Sequence, residues 1–166
     1  MKPVLITSVI FIFGACGPKP THKERYIQAL NYKLDGDAEA YYDALIALAN
    51  EAKSTLKTLF VALQSYLAET GRYCTTFQEC GFQPKPNSRY LYFLSDREVR
   101  GGGGAEDLEL LHIRAIMVLD QLHIKPMIRR HGFLIVAVGN IDSDEDLDVW
   151  TIDHENNLLN PLNDLE

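Results

Sequence analysis

GFLIVAVGNIDSDEDLDVWTID, residues 132–153, holds the sharpest contrast in the chain. Gly132 to Ile141 is apolar and β-branched, the composition of a strand. Residues 142–148 then carry five acids in seven positions: Asp142, Asp144, Glu145, Asp146 and Asp148. From Leu147 onward the residues alternate, with Leu147, Val149 and Thr151 set against Asp148, Trp150 and Ile152. A period of two is the mark of a strand. Strand, polar turn and strand make a hairpin, and the acids fall where the chain turns back.

Two readings of the acids stay open. Asp and Asn side chains hydrogen-bond turn backbones, so a solvated hairpin loop accounts for them. Alternatively, a hard cation takes about six to eight oxygens, and D-x-D-x-D spacing brings alternate carboxylates around one ion. Asp142, Asp144, Asp146 and Asp148 would then be ligands of calcium. An EF-hand is excluded. Leu147 stands where that loop needs glycine, Asp153 stands where it ends in Glu, and 147–153 reads as strand rather than helix.

Working back from the hairpin, Ala38 to Thr70 runs without Pro or Gly. Leu45, Leu48, Ala52, Leu56, Leu59, Leu63 and Tyr66 recur three or four apart, one stripe of a long helix that has a candidate break near Asn50. Asp37 is placed to cap its start, and Gly71 to end it. Arg25 to Leu34 has the spacing of a shorter helix. Residues 89–95, RYLYFLS, read as an aromatic strand. Gly101 to Gly104 read as a joint, and Ala105 to Lys125 as a second amphipathic helix stopped by Pro126. The expected class is therefore α+β: a long N-terminal helix packed on a small antiparallel sheet, with an inserted helix.

The first residues do not belong to this pattern. Lys2 precedes the apolar run Val4 to Phe13, too short to span a bilayer, which takes about 20 residues. Phe13-Gly14-Ala15-Cys16 resembles the cleavage motif of bacterial lipoproteins, with Phe13 where Leu is usual. The resemblance implies a signal peptide over 1–15, lipidation of Cys16, and a polar tether over 16–24. Gly17 after the cysteine implies sorting to the outer membrane, facing periplasm or cell surface. In such an oxidising compartment Cys74 and Cys80 read as a disulfide; two free, buried thiols are the alternative.

The stretches 50–82, 88–94 and 132–153 together resemble type IV pilin-like (pseudopilin-like) proteins. They correspond to the second half of the long helix with its following loop, the first sheet strand, and the last strands with their GNID…DVWTID pattern. The resemblance implies a pilin-like domain over 25–166, with a helical N-terminal extension. It also implies protein partners in a pilus or type II secretion type system. One departure is informative. The long apolar helix that anchors pilins and packs their fibre core is missing, and a lipobox with a polar tether stands in its place. The expectation is a lipid-anchored accessory component that does not polymerise, with a calcium-dependent binding or adhesion module on the envelope as the alternative.

Other chemistries find little support. A formal net charge of −7 argues against nucleic acid, which is held by basic patches. No G-x-S-x-G, H-E-x-x-H or G-x-x-x-x-G-K-[ST] stretch occurs, and an enzyme is not expected. His112 and His123 lie about 16 Å apart along a helix by its rise, too far to share a metal. With His22, His131 and His154 they read as surface or boundary residues.

Overall fold

The computed structural model describes residues 38–101, 108–142 and 146–165. The elements in chain order are α1 (Ala38–Thr70), β1 (Tyr90–Phe93), β2 (Val99–Gly101), α2 (Leu108–Gln121), β3 (Met127–Arg129), β4 (Gly132–Gly139), β5 (Asp148–Asp153) and β6 (Leu158–Leu162). The class is α+β, and the strands form one antiparallel sheet in the order β2-β1-β4-β5-β6, with β3 also paired to β4.

α1 runs unbroken through Asn50 for 33 residues. Leu45, Ala49, Ala52, Leu56, Leu59 and Leu63 are buried at three- and four-residue steps, so one stripe faces the sheet. Glu39 in the first turn suits the positive end of the helix dipole. Gly71 ends the helix at φ 78°, donating its N–H to Leu67 O at 2.8 Å. A side chain there would be strained, which is why glycine closes helices this way.

β4 is the centre of the sheet. Along one edge Val136–Gly139 pair with β1, and Gly132–Leu134 pair with β3. Along the other edge β4 pairs with β5 over its last six residues. Tyr90, Tyr92, Ile135, Ala137 and Ile152 point toward α1. Leu91, Phe93, Val136, Val138 and Val149 point the other way, onto Leu111, Ala115 and Leu119 of α2. Helices thus cover both faces. That is why FLIVAV is a continuous apolar run rather than an alternating one. A slip of one residue would exchange the two sets of side chains, so the register is strongly fixed.

The expected alternation in β5 holds. Leu147 and Val149 join the α2 side, while Trp150 and Ile152 join the α1 side. α2 departs from expectation at its end. It stops at Gln121, ahead of Pro126, because His123 takes the left-handed conformation at φ 54°. Ile124 N–H then closes the turn on Leu119 O at 2.9 Å, a glycine-type cap built on histidine. Gly101 is also more than part of a joint. It ends β2, and a Cβ there would lie 2.6 Å from Leu91 Cδ2 and 3.1 Å from Leu108 Cδ2.

The Cys74–Cys80 disulfide is formed, with Cα atoms 5.4 Å apart. It closes the loop after α1, and inside that loop Phe77 is fully buried. Phe77 N–H donates to Glu98 Oε1 at 2.9 Å, which ties the loop to the sheet. Glu79 organises the rest of it. Its carboxylate accepts from Arg72 Nη2 at 2.8 Å and Nη1 at 3.2 Å, and from Thr75 N–H at 2.8 Å.

Candidate functional site

The acidic hairpin divides between two environments. Asp142 is half-buried and its backbone oxygen accepts from Tyr41 Oη at 3.1 Å, bringing α1 onto the end of β4. The preceding residue is held from two more directions. Ile141 O accepts from Arg89 Nη1 at 2.6 Å, and Ile141 N–H donates to Asp164 Oδ2 at 3.1 Å. Asp146 is exposed, and Asp144 lies outside the described residues.

Asp148 is fully buried. It owes this position to a neighbour two strands away. Tyr90, Gly139 and Asp148 stand side by side across β1, β4 and β5. A Cβ on Gly139 would lie 2.7 Å from Tyr90 Cδ1, so only glycine lets the tyrosine ring cross the central strand. The ring does cross, and its hydroxyl donates to Asp148 Oδ2 at 2.6 Å. Trp150 Nε1 donates to the same oxygen at 2.5 Å, and Asn160 Nδ2 donates to Oδ1 at 2.9 Å. A buried carboxylate needs such partners. Burial, reinforced by the charge of Asp148, pushes the Tyr90 hydroxyl far above its ordinary value, so it stays protonated and acts as a donor.

Of the four aspartates expected as calcium ligands, Asp148 is taken up by these three donors, and Asp144 lies outside the described residues. Asp148 is engaged on the α1 side of the sheet. Among the described residues, no group of three or more His, Cys, Asp or Glu side chains is gathered to hold a metal ion. Cys16 and His22 lie outside the described residues. His112 is half-buried with its ring 5.9 Å from that of Phe93, and its Nε2 is buried without a hydrogen bond. His123, His131 and His154 are exposed, and Gly132 leaves the room that the His154 ring fills.

Two surfaces stand out. The first is the outer side of α2, where Leu110, Ile113, Ile116 and Met117 are between 51% and 58% exposed. The stripe expected along this helix is present in Leu111, Ala115 and Leu119, but a second apolar stripe faces away from the sheet. The signal was visible in LELLHIRAIMVL, which is apolar nearly all round. The second surface is an open groove of about 630 Å³ between α1 and β6. Tyr42, Ile46 and Lys53 line one wall, and Trp150, Asn160 and Leu165 line the other. Lys53 Nζ sits 4.5 Å from the centre of the Trp150 ring. Spacing in the sequence held no sign of this groove, because its walls come from segments some hundred positions apart.

No described helix is long and apolar enough to cross a membrane. A scan against protein-family models finds no match to this chain, and a search among curated proteins finds none either.

Proposed function

We propose that this chain is a non-enzymatic, lipid-anchored envelope protein. Its α+β domain, which we read as pilin-like, serves as a non-polymerising accessory component of a pilus or type II secretion type system. The observation that carries this reading is the outer stripe of α2. Four large apolar side chains in open solvent cost free energy, and contiguous patches of this kind mark surfaces used by other proteins. The long helix laid on an antiparallel sheet fits the pilin resemblance. The lipobox ending at Cys16 supports the anchor.

Two measurements test the reading. Labelled palmitate should be incorporated by the native chain and not by Cys16→Ser. Secretion or pilus components should co-purify with the native chain and fall away in Ile113→Asp. Recovery of the chain as a repeating subunit of purified fibres would sink the non-polymerising part. The calcium-dependent alternative draws less support, since the Asp148 carboxylate already accepts from Tyr90, Trp150 and Asn160.

A further inference from the structure

The groove between α1 and β6 has a chemistry of its own. Among the described side chains that line it, Lys53 is the one that carries a charge, in a chain whose formal net charge is −7. Its ammonium is positioned, not loose. It donates to Asn50 Oδ1 at 3.1 Å and rests over Trp150. Three N–H donors on an ammonium leave two for a ligand. Beside it are two half-buried amides with opposite vacant functions. Asn160 uses its nitrogen on Asp148 and on Val149 O, which leaves its Oδ1 as an acceptor. Asn163 uses its Oδ1 on Leu165 N–H, which leaves its nitrogen as a donor. Ala49 supplies an apolar floor between Ile46 on one wall and Leu165 on the other.

An acceptor, a donor, a cation and an apolar floor along one open groove match an extended peptide. The amides suit its backbone N–H and C=O, the floor suits an aliphatic side chain, and Lys53 calls for a carboxylate. We infer that this groove binds an extended acidic peptide segment of another protein, with aliphatic and acidic side chains in alternation. A second copy of the chain is the poorer occupant. Its own surface offers an excess of acids but the facing edge strand contains Pro161, which lacks the N–H needed to pair strand to strand.

The test uses the full chain in mild detergent and its single tryptophan, Trp150, as reporter. The probes are three capped hexapeptides that alternate Leu with Asp, Leu with Ser, or Leu with Lys. The Asp peptide should give a saturable change in Trp150 fluorescence, at least tenfold tighter than the Ser peptide. The Lys peptide should give none. Raising salt should weaken the Asp peptide and leave the Ser peptide unchanged. Lys53→Met should reduce Asp-peptide affinity to that of the Ser peptide, while Lys53→Arg should keep it. Asn163→Ala, with Lys53 intact, should weaken the Asp and Ser peptides alike. Equal affinity for all three peptides, no binding at millimolar peptide, or an unchanged Asp-peptide affinity in Lys53→Met would each overturn the inference. So would a fluorescence change that follows protein concentration without peptide, which would give the groove to a second copy.

Discussion

The two helices treat water differently. α1 buries a clean stripe and turns a mostly polar back to solvent, with Asp43, Asn50, Ser54, Lys57 and Ser65 exposed; Val61 is its one large apolar side chain in the open. α2 is less than half as long and exposes Leu110, Ile113, Ile116 and Met117. α1 buries its apolar stripe inside this chain, whereas α2 leaves a second apolar stripe bare. The faces of the sheet differ in the same sense. The side under α1 is aromatic and encloses the hydrogen-bonded Asp148; the side under α2 is mainly aliphatic. One side specifies a unique arrangement. The other supplies burial and displays a surface.

That contrast can be broken most severely on the α1 side. Asp148→Leu removes the acceptor of three donors and strands the buried Tyr90 hydroxyl, while Asn160 Nδ2 keeps Val149 O. It should cost about 3 kcal/mol in urea unfolding, the upper end of about 1–3 kcal/mol for a stranded buried group. Gly139→Ala should cost about 2 kcal/mol, because the new methyl meets the Tyr90 ring and Arg89 O at 2.7–2.9 Å. If either variant melts like the native chain, the tyrosine bridge is not what fixes the α1 side.

The disulfide loop sharpens the comparison through pH. The Arg72 guanidinium, then Thr75 N–H, hold the Glu79 carboxyl down to about 2, against an ordinary 4.5. A carboxyl held low in the folded state stabilises it fully above 4.5, and that contribution is lost as pH falls from 4.5 through 2. Glu79→Gln should therefore flatten the acid limb of the stability curve and leave the α2 surface unaffected. An unchanged acid limb would remove Glu79 from the account.

Smaller effects are expected around α2. His123→Gly should raise stability by about 0.5 kcal/mol, since the left-handed conformation penalises a side chain while glycine costs some entropy. Ile113→Asp should move the melting midpoint least of all, within about 0.5 kcal/mol, because the side chain is 58% exposed. Loss of partner recovery in Ile113→Asp without loss of stability would place the display surface on α2. A large drop in stability would return that residue to the core.

Much of this architecture was readable beforehand. α1 was legible because a stripe repeated over about six turns outweighs local noise, and Gly71 marks its end. The β4–β5 hairpin was legible from the apolar run and the alternation after it. β2 and β3 were not. Each has three residues, too few to show a period, and their residues include Arg100 and Arg129. The alternation of β5 already placed Asp148 on one face with Trp150 and Ile152. Its burial was hidden by grouping it with the acids before it. Nothing local announced that Tyr90, 58 positions away, would reach it across a glycine. The groove rests on the same kind of long-range meeting, and a single chain read in order does not reveal it.

The route of residues 94–126 has a consequence for rebuilding this protein. β1 leaves the sheet opposite Val136, and β3 returns opposite Leu134, two positions along the same strand. The whole excursion through β2 and α2 thus begins and ends at nearly one point, like a drawer set into a frame. A different helix could be slotted between Phe93 and Met127 without rerouting any other connection. It would have to bring its own counterparts of Leu111, Ala115 and Leu119, or Val136, Val138 and Val149 would be left bare, and it would have to keep Glu98, which ties the disulfide loop to the sheet. Its outward side would be free to vary, so the recognition surface and the frame that carries it can be altered independently.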